Sequence, residues 1–347
     1  MPELPEVERA KNLINRVAKG KVIQKVEAVE DTIVFTGTTF EEFTPRPAPE
    51  PVLNRDCTGK VFYVDLSGPG RMPVLHFGMT GMLQVQGELA EYYRETPKTA
   101  STDWPPRFMK ARLNSTWQVV DAIFNARRLG RIRLCKSPLE EPPISELGFD
   151  PILSMPPLEE FSVLVLKRTC PIKALLLDQS FSAGVGNWVA DEILYHSRIH
   201  PEQRANTLTN GQLEALHHQT SHVCLTAVAV DADSSKFPEN WLFTHRWGKG
   251  KKTQHNLKLP TGGPATIKWI TVGGRTSAFV LELQELAGPT TRTPRRKRDA
   301  KEDEGDHRDL VEPECDASPP IKRQKVCFLP SWTMSNVRLV IENPEQK

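Results

Sequence analysis

The first six residues, MPELPE, place two prolines and two carboxylates beside the amino terminus. Methionine is normally removed when a small residue follows it, and its removal would leave Pro2 with a free secondary amine. The unperturbed pKa of an α-amino group is about 7.7 to 8, so an unprotonated fraction can attack an electrophilic carbon near neutral pH. Glu3 could then carry protons. The alternative is a helix start, with Pro5 and Glu6 in the first turn, but it leaves Pro2 and Glu3 unexplained.

A second candidate is GVGN at 184–187, inside the longer segment 175–201. Its two glycines and amide stand at the entrance to a predicted helix, where backbone N–H groups and the helix dipole can hold a phosphate. The alternative is a glycine-rich turn that only packs closely. Three histidines follow on one predicted helix, at positions 217, 218 and 222. We interpret them as a solvated face, because no other metal ligand accompanies them.

Periodicity predicts the elements that position these groups. Apolar residues at helical spacing predict a helix over 6–19, ended by Gly20. Short strand-like segments from 21 to 135 predict a β-sandwich or barrel, with a polar surface loop at 84–107. They include KVIQKVEAV, KVFYVDL, PVLHFG, GMLQVQG, ARLNSTWQVVDAIF and GRIRLC. After a proline-rich linker, four helical segments follow: LEEFSVLVLKR, CPIKALLLDQS, NWVADEILYHSRI and TNGQLEALHHQTSHVCLTAVAVDA. ITVGGRTSAFVLEL predicts a β-hairpin.

Composition narrows the class of protein. The 347 residues are 38% apolar and carry a net charge of +2. Because no signal peptide and no apolar run of about 20 residues is found, we expect a soluble protein made in the cytosol. The six cysteines form no CxxC pair, so neither a disulfide framework nor a thiolate zinc site is indicated. Basic character is concentrated in 241–288, which has seven basic and two acidic residues.

Several quoted segments resemble one family in the same order. These are MPELPEVE, GKVFYVDL at 59–66, HFGMTG at 76–81, ARRLG at 126–130 and the segment 175–201. Together they resemble the formamidopyrimidine-DNA glycosylase and endonuclease VIII family over residues 1–286, and the opening is closer to the formamidopyrimidine type. Dispersed matches in order are far more specific than any single motif.

The resemblance implies an α+β multidomain fold. Its parts are an N-terminal catalytic β-sandwich with an N-terminal helix, a linker, a helix-two-turn-helix DNA-binding domain, a β-hairpin finger and a mostly disordered tail. Their expected ranges are 1–137, 138–149, 150–240, 241–287 and 288–347. Bacterial relatives carry a four-cysteine zinc finger, but residues 225–314 contain no cysteine. We therefore expect the zincless finger of plant and fungal relatives, which holds its arginine by packing alone.

The resemblance also implies catalytic roles. Pro2 would displace the damaged base at the sugar C1′ and form a Schiff base, while Glu3 would open the sugar and handle protons. Lys60 would help to expel the base and contact phosphate, although a solvated lysine would be the ordinary interpretation without the resemblance. Arg275 would contact the phosphates at the lesion and support δ-elimination, rather than being a surface arginine in a glycine turn.

Other residues would bind DNA. Met79 and Arg127 would enter the space left by the extruded base, and Leu129 stands where bacterial relatives have phenylalanine. Lys173 and Asn187 match phosphate-binding positions, and the resemblance adds Arg168, with Lys167 beside it. For Met79 alone, the ordinary interpretation is core filling.

The function implied is that of a bifunctional glycosylase and AP lyase of base excision repair. It would remove oxidised purines from double-stranded DNA by β,δ-elimination, without a metal or organic cofactor, as a monomer. Basic clusters at 294–298 and 319–325 indicate nuclear import or a DNA-binding arm. Two rivals remain, a catalytically inactive damaged-DNA-binding protein and an N-terminal-proline tautomerase. The preferred lesion, 8-oxoguanine in particular, is left open.

Overall fold

The computed structural model describes residues 2–43, 50–66, 70–88, 104–106, 108–115, 119–123, 128–249 and 256–286. The predicted disordered tail and most of the predicted loop at 84–107 lie outside these ranges. The helices are α1 (Leu4–Ala18), α2 (Phe40–Phe43), α3 (Leu158–Leu166), α4 (Ile172–Leu177), α5 (Asn187–His196) and α6 (Asn210–Ala229). The strands are β1 (Val22–Ala28), β2 (Glu50–Thr58), β3 (Val61–Leu66), β4 (Met72–His76), β5 (Met82–Val85), β6 (Met109–Ser115), β7 (Val119–Ile123), β8 (Arg131–Cys135), β9 (Ile267–Val272) and β10 (Arg275–Val280).

Helix α1 begins two residues earlier than predicted, with Glu3 as its N-cap. The backbone N–H of Glu3 donates to the Glu6 carboxylate at 2.9 Å, so an unpaired N–H at the helix start gains a partner. The helix ends at Ala18, and Gly20 follows with φ of +70°. Its apolar residues Val7, Ala10, Ile14 and Val17 are buried, at the helical spacing that the sequence predicted.

An eight-stranded antiparallel sheet forms the N-terminal domain, in the order β5-β7-β6-β1-β2-β3-β4-β8. Leu83 of β5 and Ile132 of β8, from opposite ends of that order, share one core with Val7 and Ile14 of α1. The sheet must therefore fold over on itself, which confirms the predicted sandwich. The segment predicted as one strand, 111–124, instead contributes to the two strands β6 and β7, which pair with each other.

The sequence prediction missed β2. Its segment, EPVLNRDCT, mixes Pro51, Asn54 and Asp56 with apolar residues and shows no clear alternation. These residue types are depleted in strands, so the local signal is weak. Pairing with β3 along most of its length, from Val52 to Thr58, compensates for that weak propensity.

The four predicted helices of the second domain are present as α3 to α6. They enclose a core that includes Phe161, Leu176, Trp188, Ile193 and Leu216, all at most 1% exposed. Strands β9 and β10 form the predicted hairpin in continuous register from Arg275 opposite Val272 to Val280 opposite Ile267. None of the helices in the described part of the chain is long and apolar enough to cross a membrane.

The two domains meet through backbone contacts at glycines. Leu4 donates its N–H to the carbonyl of Gly184 at 3.1 Å, and Gly59 donates to the Asp150 carboxylate at 2.8 Å. A Cβ on Gly59 would lie 2.6 Å from the nitrogen of Gly184, and Gly59 also has φ of +60°. This close approach brings the start of α1 against the loop that precedes α5.

Candidate active site and DNA interface

The Glu3 carboxylate is held by the N-terminus of α5. It accepts hydrogen bonds from the backbone N–H groups of Trp188 and Val189, each at 3.0 Å, and Glu3 is only 1% exposed. Free N–H groups and the positive end of the helix dipole favour an anion at this place. Pro2, the candidate nucleophile, is buried next to it in the chain.

The glycines of GVGN make room for this contact. A Cβ on Gly186 would lie 2.2 Å from the Glu3 carboxyl carbon, and one on Gly184 would lie 2.7 Å from the Leu4 Cβ. The prediction that this helix start holds a phosphate is therefore wrong. Its first free N–H groups already bind the carboxylate of the protein's own Glu3, and the close-packing alternative accounts for the glycines.

Glu6 is a second buried acid at the site. Burial, together with the nearby Glu3 carboxylate, raises the pKa of Glu6 from 4.5 to about 8. Most Glu6 side chains are therefore protonated at neutral pH. The fold thus keeps one of these two neighbouring carboxyl groups neutral, since two buried like charges so close together would repel.

Lys60 reaches the same loop from the turn before β3. Its ammonium donates to the carbonyl of Val185 at 3.1 Å, and the residue is only 7% exposed. Burial lowers the pKa of Lys60; the Glu3 carboxylate opposes this effect and the Arg275 guanidinium adds to it. Lys60 therefore lies within electrostatic range of both Glu3 and Arg275, and its catalytic role stays a prediction.

Beside Lys60 is a cavity of about 270 Å³ whose exposed surface is mostly apolar, although several basic side chains surround it. Its polar lining residues are Lys60, His76, Arg131, Arg133 and Gln179, and no carboxylate is among the described residues around it. His76 and Arg131 are paired in the register of β4 and β8, and Arg133 lies two residues further on. The positive charges around this cavity favour an anion nearby, such as a phosphate of the DNA backbone, although Arg131 already donates to the carbonyls of Arg128 and Gly130.

His76 contributes to this cavity as a neutral donor. Burial and the charges of Lys60 and Arg131 lower the pKa of His76 to about 4. Its Nδ1 accepts from the N–H of Gly78 at 3.2 Å. The remaining proton of a neutral imidazole is then on Nε2, which can donate to an anion.

Arg275 is exposed at the start of β10, directly after the turn at Gly273 and Gly274. Asn187 joins this hairpin to α5, because its side-chain amide donates to the carbonyl of Thr276 at 2.9 Å. Its side-chain oxygen is buried and has no hydrogen-bond partner among the described residues, and the predicted phosphate contact of Asn187 stays a prediction. Arg168 is partly exposed just beyond the end of α3.

Lys173 corrects the sequence prediction. It is completely buried, its ammonium pairs with the Asp191 carboxylate, and it donates to the carbonyl of Asn187 at 2.7 Å. A side chain in this position cannot contact a phosphate in solution. Burial lowers the pKa of Lys173, while Asp191 opposes the effect. Its role in this structure is internal.

Comparisons with known proteins agree with this arrangement. Two family models match: the formamidopyrimidine-DNA glycosylase N-terminal domain over residues 1–132, and the formamidopyrimidine-DNA glycosylase H2TH domain over 147–239. A formamidopyrimidine-DNA glycosylase of Arabidopsis thaliana is 37% identical over 301 residues, which cover 87% of this chain and 75% of the relative. The chain belongs to the formamidopyrimidine-DNA glycosylase family.

More distant relatives agree. The Bacillus subtilis formamidopyrimidine-DNA glycosylase is 28% identical, with 82% of this chain and 99% of that protein covered. The Lactococcus lactis enzyme, solved bound to DNA containing an AP site, has the same fold, with a TM-score of 0.64 and 23% identity. That match covers 82% of this chain and 99% of the solved one. The family's two-domain fold, a sheet domain followed by a helix-two-turn-helix domain, is therefore confirmed.

The loops that would fill the vacated base position lie together. A Cβ on Gly78 would be 2.4 Å from the backbone of Leu129, so the Met79 turn packs directly on the ARRLG loop. Leu129 is 44% exposed, and Met79 is half-buried. Arg127 lies outside the described residues. The structure thus joins two of the three members of this group.

Arg128 anchors the ARRLG loop to Asp31. Its guanidinium donates to both oxygens of the Asp31 carboxylate, at 2.6 to 3.1 Å, and Lys110 pairs with the same carboxylate at 3.0 Å. Burial raises the pKa of Asp31, but the hydrogen bonds from Arg128 and Lys110 hold it below its ordinary value. Arg128 also has φ of +53°, so the ion pair holds it in an unfavourable backbone conformation.

Sequence reasoning missed His76, Asp191, Arg246 and the pair Asp31 and Arg128. His76 lies inside the quoted HFGMTG, but the resemblance was applied only to Met79. Asp191 follows Asn187 by four residues, so both lie on one face of α5, which is the signal that could have found it.

The unusual pKa of Glu6 makes a testable prediction about stability. A carboxyl group whose pKa is higher in the folded state stabilises the fold fully below about pH 4.5, and this contribution is lost as the pH rises through about 8. Glu6→Gln removes the titration. The free energy of unfolding of this variant, relative to that of the wild type, should therefore increase by on the order of 3 to 5 kcal/mol as the pH rises from 5 to 8.

The measurement is the free energy of unfolding at several pH values for both proteins. Glu160→Gln, the same change at an exposed position of α3, is the matched control and should show no such trend. A constant difference between wild type and Glu6→Gln across this range would contradict the raised pKa.

Proposed function

We propose that this DNA glycosylase of base excision repair removes oxidised purines, formamidopyrimidines among them, and then cleaves the strand at the resulting abasic site. The observation that carries the proposal is the position of Glu3, which is buried, fixed by two N–H groups and directly follows Pro2. A proton carrier held beside the nucleophile is what amine catalysis at C1′ requires.

The steps can be assigned to groups of this chain. After removal of Met1, the nitrogen of Pro2 attacks C1′ while the glycosidic bond breaks and the base leaves with a proton. Glu3 protonates the ring oxygen, and the sugar opens to an iminium. Loss of a C2′ proton then expels the 3′ phosphate, and a second elimination expels the 5′ phosphate. Hydrolysis of the iminium releases the sugar fragment and restores the amine.

Lys60 and Arg275 support these steps by charge. Lys60 is close to the Glu3 carboxylate and its pKa is lowered, so it can give up a proton to the departing base more easily than an exposed lysine. Arg275 is exposed at the start of β10, within electrostatic range of Lys60, and would hold the phosphates that leave. The basic cavity next to Lys60 would receive a further phosphate of the same backbone.

Borohydride trapping tests the nucleophile. Duplex DNA with an abasic site or a formamidopyrimidine should give a covalent adduct, and mass spectrometry should locate it on the peptide that begins with Pro2. Pro2→Gly should be trapped on the order of 100-fold more slowly, because it loses the ring that directs the amine. Its DNA affinity should be unchanged.

Two outcomes would contradict the proposal. If protein with a confirmed free Pro2 gives neither an adduct nor strand cleavage, but still binds damaged duplex, it is the inactive binding protein considered as the alternative. An adduct on an internal lysine would show that another amine is the nucleophile.

The basic cavity predicts a change in the salt dependence of DNA binding. Arg133→Met removes one half-buried charge from the lining and should reduce the slope of log affinity against log salt by about 1. The loss of DNA affinity should be similar for damaged and undamaged duplex, since phosphate contacts carry no sequence information. Lys25→Met removes an exposed charge of β1 and is the control. An unchanged slope for Arg133→Met would exclude this cavity as a phosphate site.

We also infer that the protein acts in the nucleus, on the basis of the basic clusters at 294–298 and 319–325, both outside the described residues. The full-length chain fused to a fluorescent protein should concentrate in nuclei. Replacing the lysines and arginines of both clusters by alanine should abolish this accumulation. If the altered chain remains nuclear, these clusters are not the import signal.

A further inference from the structure

The carboxylate of Asp191 in α5 accepts hydrogen bonds from three separate segments of the chain. Its carboxylate pairs with the ammonium of Lys173 from α4. It accepts from Nε and Nη2 of Arg246, at 3.1 and 2.6 Å, and from the backbone N–H of Ala278 in β10, at 3.2 Å. Asp191 and Lys173 are fully buried, and Arg246 is 7% exposed. We call these three side chains the Asp191 cluster.

The finger needs an anchor of this kind. A two-stranded hairpin such as β9 and β10 is marginal by itself. Relatives with a zinc finger fasten it with a metal ion held by four thiolates, but residues 225–314 of this chain contain no cysteine. Nor does the part of the chain that the structure describes contain a group of three or more His, Cys, Asp or Glu side chains suited to a metal.

Arg246 ties the cluster to both strands of the hairpin. Its carbonyl accepts from the indole N–H of Trp269 in β9 at 2.9 Å, while its guanidinium meets the carboxylate that binds Ala278 of β10. Ala278 is three residues from Arg275 on the same strand. Packing also contributes, because Tyr195 of α5 shares a small core with Ile267 and Val280.

We propose that Asp191 is the positioning residue for Arg275, and that one buried carboxylate surrounded by cations and an N–H group fixes the finger where related proteins use a metal ion. This inference rests on the proposed role of Arg275 in holding DNA phosphates. It also corrects the prediction that the finger is held by packing alone. In a zinc finger the centre is a cation and its ligands are anions. Here the centre is the Asp191 carboxylate, and the groups around it are hydrogen-bond donors.

The same cluster connects the finger to the catalytic acid. Lys173 donates to the carbonyl of Asn187, and the next two residues of the chain supply the N–H groups that hold Glu3. Asn187 in turn donates to Thr276, next to Arg275. Displacement of the finger would therefore also shift the start of α5, whose N–H groups bind Glu3.

A double-mutant cycle tests the inference. Arg246→Met keeps the apolar stem and leaves Asp191 paired with Lys173, so the core retains a neutral ion pair. We expect this variant and Arg275→Ala each to bind abasic-site duplex about tenfold more weakly, with a salt slope lower by about 1. Both should release less of the δ-elimination product. Combined with Arg275→Ala, Arg246→Met should cause no further change.

Two further variants complete the design. Asp191→Asn should give the same changes more strongly, but it can also prevent folding, because Lys173 and Arg246 would lose their counter-charge. Arg246→Met decides the question in that event. Lys236→Met likewise replaces a basic residue by methionine, but at an exposed position of the helical domain, and it should leave the product ratio and the effect of Arg275→Ala unaltered.

The outcomes separate the inference from the proposed function. If Arg275→Ala itself binds and cleaves like the wild type, the proposed role of Arg275 fails. If Arg275→Ala is impaired but Arg246→Met is not, or if the two losses add, then the Asp191 cluster does not act through Arg275. A merely structural cluster would lower affinity equally with and without Arg275.

Discussion

The contact between Glu3 and the N-terminus of α5 constrains more of this molecule than any other. The Glu3 carboxylate accepts from the N–H groups of Trp188 and Val189 in the second domain, although Glu3 is itself the N-cap of α1 in the first. Charge-assisted hydrogen bonds of this type are among the stronger ones in proteins. Because Glu3 follows Pro2 directly, the same contact that joins the two domains also fixes the end of the chain that carries the proposed nucleophile. The requirement for glycine at position 186 follows, since any Cβ there would overlap the carboxyl group.

Burying the ionisable groups of this site disfavours their charged forms, so their pKa values shift or neighbouring groups stabilise the charge. The fold keeps Glu6 mostly protonated beside Glu3, and it lowers the pKa of Lys60 and His76 among their cationic neighbours. The result is a short gradient of charge, with acids at the start of α1 and donors along β4 and β8. A polyanion that lies along the donors would bring a sugar carbon towards the acids and the amine. Binding and catalysis thus draw on one distribution of charge.

The sequence allowed much of the framework to be predicted, for a physical reason. Apolar spacing identified α1, α3 to α6 and the hairpin, because each of these elements buries several apolar side chains in a core. It did not reveal β2, whose polar residues gave no clear alternation. It also left two interpretations of GVGN open and misassigned Lys173. A helix start attracts any anion, and the sequence does not show that a residue 185 positions away supplies one. A lysine that matches a phosphate-binding position looks the same whether it faces solvent or a buried Asp191.

The buried pair of Lys173 and Asp191 suggests how a finger can be fixed without a metal ion. A zinc ion organises a hairpin because several ligands from distant positions must all meet one centre. A carboxylate can impose the same requirement when it is buried, since each donor that leaves would expose an uncompensated charge. Asp191 meets this condition with Lys173, Arg246 and Ala278. Unlike a metal, this centre is part of α5, the helix that also holds Glu3. The finger is therefore oriented relative to Glu3, the proposed proton carrier, through a single helix.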